Sequence, residues 1–142
     1  MANIIPYAFR GELFTGTHNF ASGGDSFKLA LYTANPYTTA STVYSATTEV
    51  SSAGGSNYTT TGNALTGNAV AASTAVASCD FNDAVWTTAT FTAAYAALYN
   101  DDQGDKLCVV LDFSGDKTAT NGTFKITFPN PATPADAIIS MA

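Results

Sequence analysis

His18 is the one imidazole in the chain, and it stands in Gly16-Thr17-His18-Asn19-Phe20 with no carboxylate or nucleophile beside it. Activating a serine or thiol needs a base within hydrogen-bond reach and a third group that orients the base. With neither adjacent, His18 reads as a solvent-facing or packing histidine, and only a triad assembled from distant parts of the fold stays open. Ser114, in Phe113-Ser114-Gly115, lacks the preceding glycine of a nucleophile elbow and falls where a hairpin turn is expected. Asp101, Asp102 and Asp105, with Asn100 and Gln103, gather the hard oxygen ligands that calcium prefers, but the spacing is not that of an EF-hand and no glutamate closes the shell. They read as a solvated turn. Glu12, Glu49, Asp80, Asp83 and Asp112 are scattered and form no carboxylate pair of the glycosidase kind in sequence. Gly23-Gly24 and Gly54-Gly55 do not follow the strand-to-helix order of a phosphate loop and read as turns. Cys79 and Cys108 are too few and too far apart for a disulfide framework, have no zinc-ligand spacing near them, and read as buried thiols. The residues therefore predict no catalytic site, no cofactor and no metal.

The elements that position these residues are mostly strands. In Ser26-Phe27-Lys28-Leu29-Ala30-Leu31-Tyr32, alternate residues are large and apolar, the pattern of a half-buried strand. Further candidates are 69–72, 75–81, 85–91, 92–100, 107–113, 122–128 and 137–140, separated by turn chemistry at Asn100 to Asp105, Ser114-Gly115-Asp116 and Asn121-Gly122. The Ala-rich run from Thr92 to Tyr99 could form two helical turns, but its alternation and the preceding threonines favour strand. Residues 33–67 turn to Thr, Ser, Asn, Gly and Ala and read as a long loop with short strands at 42–44 and 58–61. Tyr37, Tyr44 and Tyr58 make it too aromatic for a solvated linker, so it is expected to be ordered. Many short strands at close spacing predict an all-β sandwich or barrel over 23–142. Residues 1–22 form an N-terminal arm, extended or partly helical.

Composition narrows the function classes. The chain of 142 residues is 11% charged, about half the usual fraction, and is long enough to fold as one domain without a staple. Five basic residues against eleven acidic ones give a net charge of −6, which excludes the basic footprint that nucleic-acid binding relies on. No apolar run approaches the ~20 residues of a membrane span, and the first residues lack a signal-peptide pattern, so synthesis in a cytosol is expected. Trp86 and the tyrosines could build a stacking platform for a glycan, but a single tryptophan at the start of a strand reads first as core packing. Surfaces of Thr, Ser, Asn and Ala in place of Lys and Glu give up the charge that keeps monomers apart, which is tolerable where faces bury against other subunits.

Taken in order, several segments resemble small virion structural proteins of tailed bacteriophages. They are Ser26 to Tyr32; Glu49-Val50 leading through Gly54-Gly55 to Tyr58-Thr59-Thr60-Thr61-Gly62-Asn63-Ala64-Leu65; Asp80-Phe81 with Val85-Trp86-Thr87-Thr88-Ala89-Thr90-Phe91; Ala97 to Asn100; Val110 to Phe113; and Gly122 to Pro129. The likeness covers about residues 26 to 130 and includes capsid decoration or cement proteins of the head-fibre kind. It implies a β-sandwich of jelly-roll type and a non-enzymatic protein, with the major capsid protein as partner, a homo-oligomer (dimer or trimer), and a place on the capsid surface after assembly in the host cytoplasm. The alternative it leaves is a tail or fibre module that recognises a host-surface glycan through 33–67. Ile4, Ile5, Tyr7, Phe9, Leu13 and Phe14 are the expected contact residues, because they are apolar anchors on a terminal arm.

Overall fold

The computed structural model describes residues 2–73, 75–129 and 137–141. One helix, α1 (Tyr7–Phe14), precedes seven strands: β1 (Phe27–Tyr32), β2 (Asn63–Ala64), β3 (Ala69–Ala72), β4 (Ala77–Asp80), β5 (Ala84–Asn100), β6 (Lys106–Ile126) and β7 (Ile139–Met141). They form two antiparallel sheets, ordered β2-β1-β5-β6 and β3-β4-β7. Both sheets contribute to one apolar core, with Phe27, Leu29 and Leu98 from the first and Cys79 and Ile139 from the second. The chain is thus an all-β fold, as its alternation predicts. Among the described residues the sheets have four and three strands, and the jelly-roll order is not established by them.

Four features depart from the expected elements. First, 85–91 and 92–100 are one continuous strand, β5, and 107–113 and 122–128 belong largely to one partner strand, β6. The residues that signalled hairpin turns are bulges: Phe113 to Asp116 stand opposite Ala94 alone, with Ser114 at φ 57° and Gly115 at φ 121°. Asn121, at φ 46°, sits in a second bulge, where its N–H donates to Thr90 Oγ1 at 2.9 Å. On the facing strand Thr88, at φ 51°, adds an extra residue that keeps Trp86, Ala89 and Phe91 all on the buried face. Positive-φ residues serve turns and bulges alike, and a bulge resets which side chains point inward.

Second, β1 is buried on both faces. Ala30 and Tyr32 were expected outside, yet they pack in a second cluster with Tyr37, Tyr99, Leu107 and Val110. The cover is the segment 33–67 itself. It runs along β1, where the Val50 N–H donates to the Leu31 carbonyl at 2.9 Å, and crosses to β6, where the Leu107 N–H donates to the Thr42 carbonyl at 2.9 Å. Third, the candidate strands at 42–44 and 58–61 reduce to one isolated bridge, Val43 to Lys106; the extended pair is β2 instead.

Fourth, the N-terminal residues are not a free arm. Ile4 exchanges both backbone hydrogen bonds with Val110 at 2.9 Å, covering part of the outer edge of β6. α1 starts after Pro6 and ends in a Schellman motif, in which Gly16 N–H bonds the Leu13 carbonyl and Thr17 N–H bonds the Glu12 carbonyl. Phe9 faces inward, 5.1 Å from the His18 ring and 6.1 Å from Phe20. No helix among the described residues is long and apolar enough to cross a membrane.

Candidate functional site

α1 carries aromatic residues on two sides. Phe9 is 1% exposed and belongs to the core, so its expected place among the contact residues is corrected. Leu13, one turn later, packs half-buried against that core. The side chains that face outward are Phe14, 93% exposed, and Tyr7, 63% exposed, with Ile5 just before the helix. Arg10 lies between them, its guanidinium 5.0 Å from the Tyr7 ring and donating to the Ile5 carbonyl at 3.0 Å.

The face continues onto the second sheet. Register places Val70, Ala77, Cys79, Ile139 and Met141 on one side of β3, β4 and β7, the side toward α1. Cys79 and Ile139 complete the core, whereas Val70 and Met141 are 57% and 56% exposed. Between α1 and β7 runs an apolar groove of about 300 Å³ with Ile5, Phe14 and Met141 at its rim. Leu13 and Ile139 form its floor and also line a smaller apolar cavity of about 110 Å³ beside Phe20 and Cys79. The core is therefore covered at its centre and open at this margin.

A buried polar cluster fixes the helix in place, and sequence reasoning did not find it. His18 Nε2 and Glu12 Oε2 are 2.8 Å apart, and Lys106 Nζ donates to Glu12 Oε1 at 2.6 Å. On the other side of the ring, the Asn100 amide lies 3.0 Å from Nδ1 and donates to Asp25 Oδ2 at 2.8 Å. With Asn100 donating to Nδ1, the ring proton belongs on Nε2, aimed at Glu12. Burial alone would raise the Glu12 carboxyl, but the hydrogen bonds from Lys106 and His18 outweigh it and hold the group below its ordinary value. Asp25 is lowered in the same way: burial opposes, and Asn19, Asn100 and Gln103 donate.

Cys108 Sγ lies 4.0 Å from His18 Nδ1, so thiol, imidazole and carboxylate do meet in space. The geometry is that of a packing contact. Cys108 is fully buried, burial pushes its thiol well above the ordinary range, and Asn100 already occupies the nitrogen that would take the proton. His18 is thus a packing histidine, held by partners six and eighty-two residues away in sequence.

Glu49 organises the long loop. It is the one charged residue between Thr33 and Gly67, and its carboxylate accepts from Tyr44 at 2.5 Å, Tyr58 at 2.7 Å and the Thr61 N–H at 2.8 Å. Tyr58 also accepts from the Leu31 N–H at 2.9 Å, tying the loop to β1. Burial and the Glu49 charge both push the Tyr44 hydroxyl up. A lone carboxylate among tyrosines was the sequence signal for this hub.

The remaining candidates have structural work. Trp86 is buried, its ring stacked on Tyr58 at 6.4 Å, so it forms no glycan platform. Asp102 accepts from the Ser26 N–H at 2.7 Å and Asp101 pairs with Lys28 at 2.9 Å, which ties the β5–β6 turn to the start of β1. Ser114 lies in the bulge, where its N–H donates to Asp112 at 2.8 Å. Cys79 and Cys108 are free and buried, and burial raises Cys79 to about 12. Among the described residues, the apolar face of α1 and β7 gathers exposed large side chains that the protomer's own packing does not cover. No family model, curated protein or solved structure matches this chain.

Proposed function

We propose that this protein is a non-enzymatic assembly protein, a capsid decoration or cement protein that adds to the outer shell of a tailed bacteriophage after folding in the host cytoplasm. The observation that carries the reading is the apolar face of α1 and β7. Ile5, Phe14 and Met141 expose large side chains at one groove and Val70 exposes another beside the adjoining cavity, and contiguous patches of this kind rimmed by polar residues mark protein contacts. The segment-by-segment likeness to small virion proteins supports the particle as the setting. The work of such a protein is thermodynamic: a ligand that binds only the assembled shell stabilises it by mass action, and linked copies bridging neighbouring capsomers multiply the effect.

Deleting residues 2–14 is a poor test, because it removes Phe9 from the core and Glu12 from His18. Phe14→Gln is the better one. Phe14 is almost fully exposed, and glutamine is a good helix former without the charge that would oppose the helix dipole in the last turn. The expected result is unfolding stability within about 0.5 kcal/mol of wild type together with loss of at least ~2 kcal/mol of shell affinity, read by co-sedimentation with shells stripped of the protein. Undiminished co-sedimentation overturns the reading.

A further inference from the structure

We infer that the groove between α1 and β7 takes an extended acidic segment of the partner protein, which adds to the outer edge of β7, lays a large apolar side chain against Leu13 and Ile139, and sets a carboxylate on Arg10. This rests on the reading that the face is a protein contact, and names the chemistry of what binds there. Three observations support it.

The groove offers a cation that the protomer leaves without a countercharge. Arg10 lines the groove and is exposed. Among the described ion pairs, Lys28, Lys106 and Lys125 each hold a carboxylate, at 2.9, 2.6 and 2.7 Å, and Arg10 holds none. The one carboxylate of α1, Glu12, is already engaged by His18 and Lys106. The Arg10 guanidinium is nonetheless held in place, 5.0 Å from the Tyr7 ring and donating to the Ile5 carbonyl at 3.0 Å. A guanidinium has further N–H groups to give, and one fixed in advance suits bidentate recognition of a carboxylate. On a chain of net −6 such a site is selective, because most of the remaining surface repels an acidic segment.

The groove has a strand edge for one wall. β7 pairs with β4 on one side and ends its sheet among the described residues. Ile139, Ser140 and Met141 all line the groove, so it meets β7 along its length and not at one face alone. An edge strand carries unpaired N–H and C=O groups, and an extended segment laid beside it takes them up.

The spacing matches. Ile5 and Phe14 both line the groove, so it follows α1 from end to end. Arg10 stands one turn before Leu13 and Phe14, a rise of about 4.5–6 Å along the helix. In a strand the side chains on one face recur every second residue, about 6.7 Å apart. A segment with a large apolar residue and an aspartate or glutamate two positions apart therefore reaches the groove floor and Arg10 together.

The test selects an mRNA-display library of random octapeptides on the purified full-length protein. The enriched peptides are expected to carry a large apolar residue and a carboxylate at a spacing of two. A synthetic copy of the commonest should bind Arg10→Gln about 10-fold or more weakly than wild type, and Arg10→Lys, which keeps the charge without the fork, about 3-fold more weakly. At saturation it should slow amide exchange within Ile139–Met141, where strand addition takes up backbone groups. Absence of enrichment, enriched peptides without acidic residues, a helical spacing of three or four, affinity indifferent to Arg10→Gln, or unchanged exchange in β7 overturns the inference. The inference and the reading beneath it fail separately. Neutral enriched peptides beside a Phe14→Gln protein that loses the shell remove the acidic segment and leave the contact reading, whereas the expected peptides beside undiminished co-sedimentation remove the shell and leave the groove's ligand class.

Discussion

Replacing Gly62 with alanine is expected to destabilise the protein by about 4 kcal/mol, a large part of the 5–15 kcal/mol that a small domain has. Gly62 sits at φ +80°, in the left-handed region, where an L side chain costs about 1–2 kcal/mol. It also lies against the centre of β1, and a Cβ there would run into the Leu29 carbonyl and the Ala30 Cα. Neither can retreat, because Leu29 and Ala30 are fully buried and paired with Leu98 and Ala97 of β5. Forcing a methyl group into a packed site adds about 1–3 kcal/mol. The turn that Gly62 closes also presents the Thr61 N–H to Glu49 and the Thr61 carbonyl to Tyr99, so a shift there disturbs the loop's hub. Urea unfolding of Gly62→Ala beside Gly104→Ala separates the causes: Gly104 has a similar φ, +71°, but open space around it. The control should lose only the conformational part, about 1–2 kcal/mol. Equal losses would show that the approach to β1 is not tight.

Gly62 illustrates how much of this fold is legible in the residues. Period-2 alternation marks Phe27, Leu29 and Leu31 as core, and Trp86, a single tryptophan at the start of a strand, reads as core packing. Alternation breaks where the chain changes phase. Ser114-Gly115-Asp116 and Asn121-Gly122 have the composition of turns, and only the partner strand decides that they are bulges in long strands. The second buried face of β1 was equally hidden, since what covers Ala30 and Tyr32 is a polar segment folding back through Tyr37 and Tyr44. In α1 the difficulty was different. Apolar residues stand on both sides of the helix, so its sequence does not say which of Phe9 and Phe14 is buried. Tertiary contacts choose: Phe9 meets His18 and Phe20, and Phe14 meets none of the described rings. Glu12 lay on the page as one of several scattered carboxylates, with its importance set by His18 and Lys106 arriving from elsewhere.

Removing that carboxylate is the second large effect. Glu12→Ala leaves the His18 N–H without its acceptor in a site where the ring is fully buried, and leaves Lys106 without its countercharge. Breaking one partner out of such a pair costs about 3 kcal/mol, and the loss falls on the docking of α1. Glu12→Gln keeps the shape and an acceptor oxygen, so it should cost about half as much at pH 7. The pH dependence identifies the charge as the cause. The folded state holds Glu12 below the ordinary 4.5, so the carboxyl binds fewer protons on average when folded than when unfolded through that range. Its stabilisation is fully present above about pH 5.5, and it is lost as pH falls through the folded value. Wild type and Glu12→Gln should therefore differ by a constant amount from pH 7 down to about 5.5, then converge as pH falls below 4.5 and through the folded value, where the wild-type carboxyl takes up its proton. Asp25, also lowered, makes both proteins less stable in acid but cancels from their difference. Chemical denaturation of the two proteins across this range reads the result directly. A difference that persists unchanged at pH 3 would mean that Glu12 acts through packing and not through its charge on His18 and Lys106.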